Sequence, residues 1–480
     1  MRFSIETKKM NTIFAYFITN VVLVIFMLVL FQTARGNDDF PKYAGVILLF
    51  HIVVSLIALR YCNTNLFNIA GVFLIIAFIL HYGQFVLLIF DGYVFYKRNF
   101  ITRYPFDIYS IALIKCFIIT ISLTVGLLLG TSKSQQLQMD DSNSNPEYER
   151  QKCKRVGFAL SILLVPLRLY IDVNRLILSI TQGYLSSLHD LDINNMFIVL
   201  SRLSTVSIVL LLYGLKKGSK ARKIVFFLYA TYLLIFMFSG SRLSFIISLV
   251  ILCMCYFRFE EIKLSWKTII LLIVALLLVT AFMAAAREYR YYNLGNNVSI
   301  SSFLEVFSRK LTTENSILQE LEELGQSFYT CSAAVDHVER YGYAQGKSYF
   351  LGIATVLPNF AGVINELDVM SSYTRTMQAM GIHADYVNIG GSFIGEIIYN
   401  FAYIFPLFAF FVGLIVAKFS IRFDERIKED SARYSFVYSV CIMMAILEWS
   451  RDTFSASVRY FAWGCILFWL AGKTVIKRSN

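Results

Sequence analysis

Five arginines stand near the ends of apolar runs in this 480-residue chain: Arg242, Arg287, Arg290, Arg375 and Arg451. A guanidinium stays charged when desolvated, and its planar fork matches two phosphate oxygens at once. Arg287 and Arg290 lie three apart and share a helix face, the spacing of a phosphate clamp or of a solvated charged cap. Arg242 ends the tight run Ser239-Gly240-Ser241-Arg242, where small residues let backbone approach a ligand or simply make a turn. Arg242 and Arg451 also suit snorkelling to an interface. As a set, the arginines favour an anionic ligand at headgroup level, such as a lipid carrying a pyrophosphate. A second concentration of chemistry lies in HADYVNIGGSFIGEIIYNFAY, from His383 to Tyr403. There His383 and Asp385 precede Gly390-Gly391, and Glu396 falls in the first turns of the apolar run that follows. Tyr349, with Tyr289, Tyr341, Tyr343 and others nearby, offers a ring face for stacking on a sugar or for anchoring at an interface.

These residues need elements to hold them, and the composition says which. The chain is 57% hydrophobic and 16% charged, with mean hydropathy +0.61. Apolar runs long enough to cross about 30 Å of hydrocarbon recur along it, so it reads as an all-α polytopic membrane protein. About twelve spans are expected, near 11–31, 44–60, 66–90, 108–130, 156–180, 195–213, 223–239, 243–258, 267–286, 391–417, 434–449 and 454–474. The first is span-length and lacks a small-residue cleavage site, so it reads as a retained helix. The net charge of +12 is concentrated in short loops, which argues for topology and against nucleic acid. About 25 Lys and Arg fall on one side against about 7 in the short loops opposite, which places both termini in the cytoplasm.

The domain reading follows: 1–286 a membrane bundle, 287–390 a large extracytoplasmic loop, 391–480 the last three spans. Phe303, Phe307, Leu311, Leu318, Leu321 and Leu324 suggest an amphipathic helix in that loop, lying on the leaflet or packing on the bundle. Ionisable residues inside spans are costly and face a cavity or a partner. They are Lys115, Arg168, Arg175, Arg202, Glu396, Glu448 and Arg459, with Arg459 and Glu448 a possible ion pair. Of eight cysteines, Cys331 alone lies in the loop, and no Cys/His spacing suggests a metal.

Four short motifs carry a family resemblance. Gly390-Gly391-Ser392-Phe393-Ile394-Gly395-Glu396 followed by Tyr399-Asn400-Phe401-Ala402 resembles the segment after the large periplasmic loop of Wzy-type O-antigen and oligosaccharide repeat-unit polymerases. Gly346-Lys347-Ser348-Tyr349 leading to Leu357-Pro358, Gly240-Ser241-Arg242, and Gln182-Gly183-Tyr184 are similar to motifs of that family in order and spacing. The resemblance covers about 180–410. It implies a GT-C-like bundle with one large external loop carrying short helices, in the cytoplasmic (inner) membrane, and a metal-independent glycosyltransferase. The implied substrate is an undecaprenyl-diphosphate-linked oligosaccharide, and a chain-length co-polymerase and a flippase are implied partners. Such chemistry needs positive charge on the leaving diphosphate, for which Arg242, Arg287 and Arg290 are candidates, with Arg375 and Arg451 beside them. It also needs a group to take the acceptor's proton, for which His383, Asp385 and Glu396 are candidates, with Glu396 alternatively orienting an arginine. Three rivals stand beside this reading. Asn37-Asp38-Asp39-Phe40 in the first outer loop would suit another GT-C enzyme. An O-antigen ligase shares the topology. A lipid-linked oligosaccharide flippase would show two related halves, and none are seen.

Overall fold

The structure is a computed structural model. It describes residues 2–35, 39–62, 66–90, 101–131, 146–181, 193, 195–237, 242–262, 278–282, 284–285, 288, 300–312, 316–357, 382, 390–428 and 434–477. All regular structure among them is helical. The helices used below are α1 (Arg2–Thr33), α2 (Phe40–Tyr61), α3 (Ile69–Leu87), α4 (Phe106–Gly130), α5 (Pro146–Thr181), α6 (Asn195–Arg202), α7 (Ser204–Gly214), α8 (Lys220–Phe236) and α9 (Arg242–Phe259). They continue with α10 (Ile300–Thr312), α11 (Ser316–Leu324), α12 (Phe328–Tyr341), α13 (Lys347–Ala354), α14 (Phe393–Asn400), α15 (Phe405–Lys428), α16 (Phe436–Trp449) and α17 (Phe454–Lys477).

Among the described residues, eight helical segments are long and apolar enough to cross a membrane: Thr7–Thr33, Phe40–Tyr61, Ile69–Leu87, Phe106–Gly130, Pro146–Ser179, Met196–Gly214, Phe405–Ile427 and Phe454–Thr474. The chain is therefore a multi-pass membrane protein. A helix stands at each expected span except 267–286, most of which lies outside the described residues.

Two expectations are corrected. The run 391–417 is not one helix: α14 ends at Asn400, Phe401 is extended at φ −121° and ψ 118°, and α15 begins at Phe405. Pro406 explains the break. Its ring would clash with the carbonyl four residues back, and it lacks an N–H to continue the helix, yet it fits a first turn. Hydropathy cannot register this, because the residues on both sides are apolar. The amphipathic segment 303–324 is likewise two helices, α10 and α11. Phe303 and Phe307 of α10 both pack on Phe282, at 5.8 and 6.2 Å between ring centroids.

The chain divides into two compact units. The first comprises Met1–Asp141, Leu321–Asp424 and Trp449–Val458; the second comprises Ser142–Glu320, Glu425–Glu448 and Arg459–Asn480. In the first unit α4 and α15 cross at backbone distance. A side chain on Gly126 would meet Phe410 O at 2.1 Å, and one on Gly413 would meet Leu123 O at 2.1 Å. Gly126 and Gly130 form the small-xxx-small spacing that lets membrane helices approach this closely. A buried polar chain ties four helices of the same unit. Asn20 Oδ1 lies 2.6 Å from His51 Nδ1, His51 Nε2 lies 3.2 Å from Thr120 Oγ1, and Thr120 Oγ1 lies 2.7 Å from Tyr82 OH. In a hydrocarbon setting such groups must satisfy one another. Helix α12, from the expected external loop, is itself buried over Phe328–Val335 and packs on α4 and α14.

In the second unit the intramembrane arginines have partners. Arg168, 3% exposed, donates to Thr205 Oγ1 at 2.9 Å and Tyr229 OH at 3.1 Å and lies 3.5 Å from Asp172. Glu448 meets Arg202 at 3.3 Å.

Candidate active site

The candidate site is built in the first unit, around the Gly-Gly-Ser-Phe-Ile-Gly-Glu motif. Ser392 caps α14: its backbone is extended and its hydroxyl accepts from Gly395 N at 3.0 Å, as a serine N-cap does. The same hydroxyl is hydrogen-bonded to His81 Nε2 at 2.6 Å. His81 Nδ1 lies 2.7 Å from the Ala77 carbonyl; a carbonyl only accepts, so Nδ1 donates to it. Thr330 of α12 donates to Gly390 O at 2.8 Å. A side chain on Gly395 would come within 3.0 Å of Thr330 Cγ2, so this glycine lets α14 lie against α12. The start of α14 is thus held from α3 and from α12.

One turn on, Glu396 is fully buried and both of its oxygens are engaged. Oε1 accepts from Ser348 Oγ at 3.1 Å. Oε2 accepts from Trp449 Nε1 at 3.1 Å and from Phe454 N at 3.0 Å. Asn400, one further turn along α14, donates to Ser348 Oγ at 2.7 Å. The motif at 346–349 and the motif at 390–402 are therefore bonded directly to each other. The third strand of the knot is the link Trp449–Phe454 between α16 and α17. Helix α14 lies outside the span-length helices. Burial pushes the Glu396 carboxyl up to about 7, against the downward pull of Trp449, Phe454 N and Ser348.

Tyr349 fills the apolar side of the knot. Its ring stacks on Phe401 at 5.6 Å and 18°, and contacts Phe408, Phe454 and Trp449 at 5.1, 4.9 and 6.3 Å. Its hydroxyl is buried with no hydrogen-bond partner among the described residues. Arg451 lies in the middle of the third strand, half-buried, with its stem across Gly390. A side chain there would meet Arg451 Nε at 2.9 Å and Cγ at 3.2 Å. A bulkier residue at 390 would displace the arginine.

Of the residues chosen from sequence, the structure brings Tyr349, Glu396 and Arg451 to one place. Arg242 opens α9, with its side chain outside the description. His383, Asp385, Arg287, Arg290 and Arg375 lie outside the described residues. His81, Thr330 and Trp449 were missed. Each sits in an apolar helix or helix end with no local pattern around it, and no signal in the sequence marks them. Ser348 and Asn400 stood inside quoted motifs, so the motifs held more of the site than the titratable residues did. Among the described residues no three His, Cys, Asp or Glu side chains converge as a metal would require.

The sequence profile of the family described as O-antigen polysaccharide polymerase Wzy matches residues 5–480. No curated protein matches the chain, and no solved structure does.

Proposed function

The chain belongs to the O-antigen polysaccharide polymerase Wzy family, and from that premise we propose that it joins oligosaccharide repeat units carried on undecaprenyl diphosphate at the outer face of the cytoplasmic membrane. The bond between the anomeric carbon of the growing chain and its diphosphate breaks. A bond from that carbon to a hydroxyl of the incoming lipid-linked unit forms, the hydroxyl proton passes to a base, and the diphosphate leaves as an anion.

The observation that carries this reading is the knot at Glu396. It binds two motifs of the family resemblance to the loop that presents Arg451. Fixed positive charge aimed at a leaving diphosphate lowers the barrier most when it is held in advance, and Arg451 lies against the knot. Arg242, Arg287, Arg290 and Arg375 are the further candidates for the diphosphate. His383 and Asp385 are the candidates for the base. Glu396, with every oxygen occupied by a donor, is proposed as the residue that positions Ser348 and the Trp449–Phe454 link, leaving proton abstraction to the other two. Tyr349 is proposed to offer its buried hydroxyl and ring edge to a sugar.

The test is polysaccharide ladder length on a gel, in cells lacking the gene and restored with wild type, Arg451→Ala, Arg242→Ala or Arg287→Ala. Single-repeat-capped lipid A core in the deletion, with arginine variants that insert normally and fail to restore the ladder, supports the polymerase. Long polymer accumulating on its lipid carrier would instead indicate a ligase. Absence of any repeat at the outer face would indicate a flippase.

A further inference from the structure

The second unit carries a basic cleft that the polymerase reading does not use. It has a volume of about 620 Å³ between the first turns of α5 and the end of α7, and its lining includes Arg150, Lys154, Arg155, Phe158 and Lys216, with Glu147 also present. The helices approach closely here because α7 ends in Gly214, where a side chain would meet Lys154 N at 2.3 Å. Neighbouring cations are already neutralised: Lys217 pairs with Glu261 at 2.8 Å and Arg222 with Glu260 at 3.0 Å, and Lys152 lies over the Tyr434 ring at 4.5 Å. Arg150, Lys154, Arg155 and Lys216 make no ion pair among the described residues. The one carboxylate of the cleft, Glu147, is within 3.5 Å of the Gln151 amide. Four cations facing one acid in a concave site favour an anion.

The shape of the surroundings says which kind of anion. Along α5, Phe158 and Ile162 follow Lys154 at intervals of four residues, on the same side of the helix. They are 58% and 60% exposed, as side chains facing hydrocarbon would be. A charged mouth that opens onto an apolar stripe matches a phosphate headgroup with an acyl chain attached. A soluble phosphate would use the mouth and leave the stripe idle. Basic pockets between transmembrane helices are a recurring site for anionic headgroups. We propose that this cleft binds the phosphate headgroup of an anionic membrane phospholipid, with an acyl chain lying along Phe158 and Ile162.

The experiment uses the full chain in neutral detergent, with binding read by native mass spectrometry and by thermal melting. The probes are phosphatidylglycerol, phosphatidylethanolamine and soluble glycerol phosphate. Phosphatidylglycerol is expected to remain bound and to raise the melting midpoint, and the other two are not. Each basic side chain near an anionic surface is worth about fivefold, so Lys154→Gln/Arg155→Gln/Lys216→Gln should weaken phosphatidylglycerol roughly a hundredfold. Lys217→Gln, at the same end but paired with Glu261, should change it by less than about twofold. If the triple variant does not fold, Lys154→Gln alone, on an exposed position, should still cost about fivefold. Phosphatidylglycerol binding the basic-residue variants as tightly as wild type overturns the proposal. Glycerol phosphate raising the midpoint as much as the lipid overturns it in favour of a free-phosphate site.

Discussion

Glu396 accepts three hydrogen bonds, one from Ser348 and two from the Trp449–Phe454 link, and its removal reaches all three donors. Glu396→Ala leaves the Trp449 indole N–H and the Phe454 amide buried without an acceptor, at about 1–3 kcal/mol each. The expected result is a lower melting midpoint together with loss of the polymer ladder. The pH dependence has a definite sign. A carboxyl raised from 4.5 to about 7 in the folded protein stabilises the fold most below pH 4.5, and that contribution is lost as pH rises through 7. The melting midpoint should therefore fall across that window in wild type. It should lose this component in Glu396→Gln, which keeps the shape and cannot titrate. A wild-type midpoint that rises over the same window contradicts the assignment. At Arg451, the guanidinium fork matters as well as the charge. Arg451→Lys should melt like wild type yet shorten the ladder, because an ammonium cannot make the planar two-point contact with phosphate. None of these roles is visible at the single residue: Glu396 in an apolar run looks the same whether it takes a proton or holds a loop.

At the scale of elements, close approach decides the site. Helix α14 lies against α12 because residue 395 has no side chain. Gly395→Leu places new atoms where Thr330 stands, an overpacking of the kind that costs about 1–3 kcal/mol. It should lower the melting midpoint and abolish the ladder, even though position 395 bears no chemistry. A Gly395→Leu protein with wild-type melting and a full ladder would show that the α12–α14 contact is dispensable. The helices themselves were largely legible, because an apolar run of span length reports its own burial without reference to anything distant. The break at Phe401–Ile404 was missed for the opposite reason. It depends on Pro406, one residue within a stretch whose average hydropathy is unchanged by it. The division of 303–324 into α10 and α11 was missed similarly, since one amphipathic pattern runs through both.

At the scale of the whole molecule, topology and chemistry are tested together. The basic loop at Lys216–Lys217 and the expected external loop should be labelled from opposite sides. Lys217→Cys should resist a membrane-impermeant maleimide in intact spheroplasts, and Tyr341→Cys, at a site 67% exposed, should react. Labelling in the reverse pattern would invert the orientation and remove the outer-face polymerase reading. By itself the sequence determined that this is a helical multi-pass membrane protein of its family, with helices at nearly all of the expected apolar runs. Those properties depend on composition and local order, which survive without knowledge of the fold. Only the tertiary structure decided that Ser348, Glu396, Asn400 and Trp449 form one knot, with Tyr349 and Arg451 against it and His81 behind it. The bonds to Glu396 join residues 48, 53 and 58 positions apart. Each becomes favourable only once packing has expelled water from all the partners together.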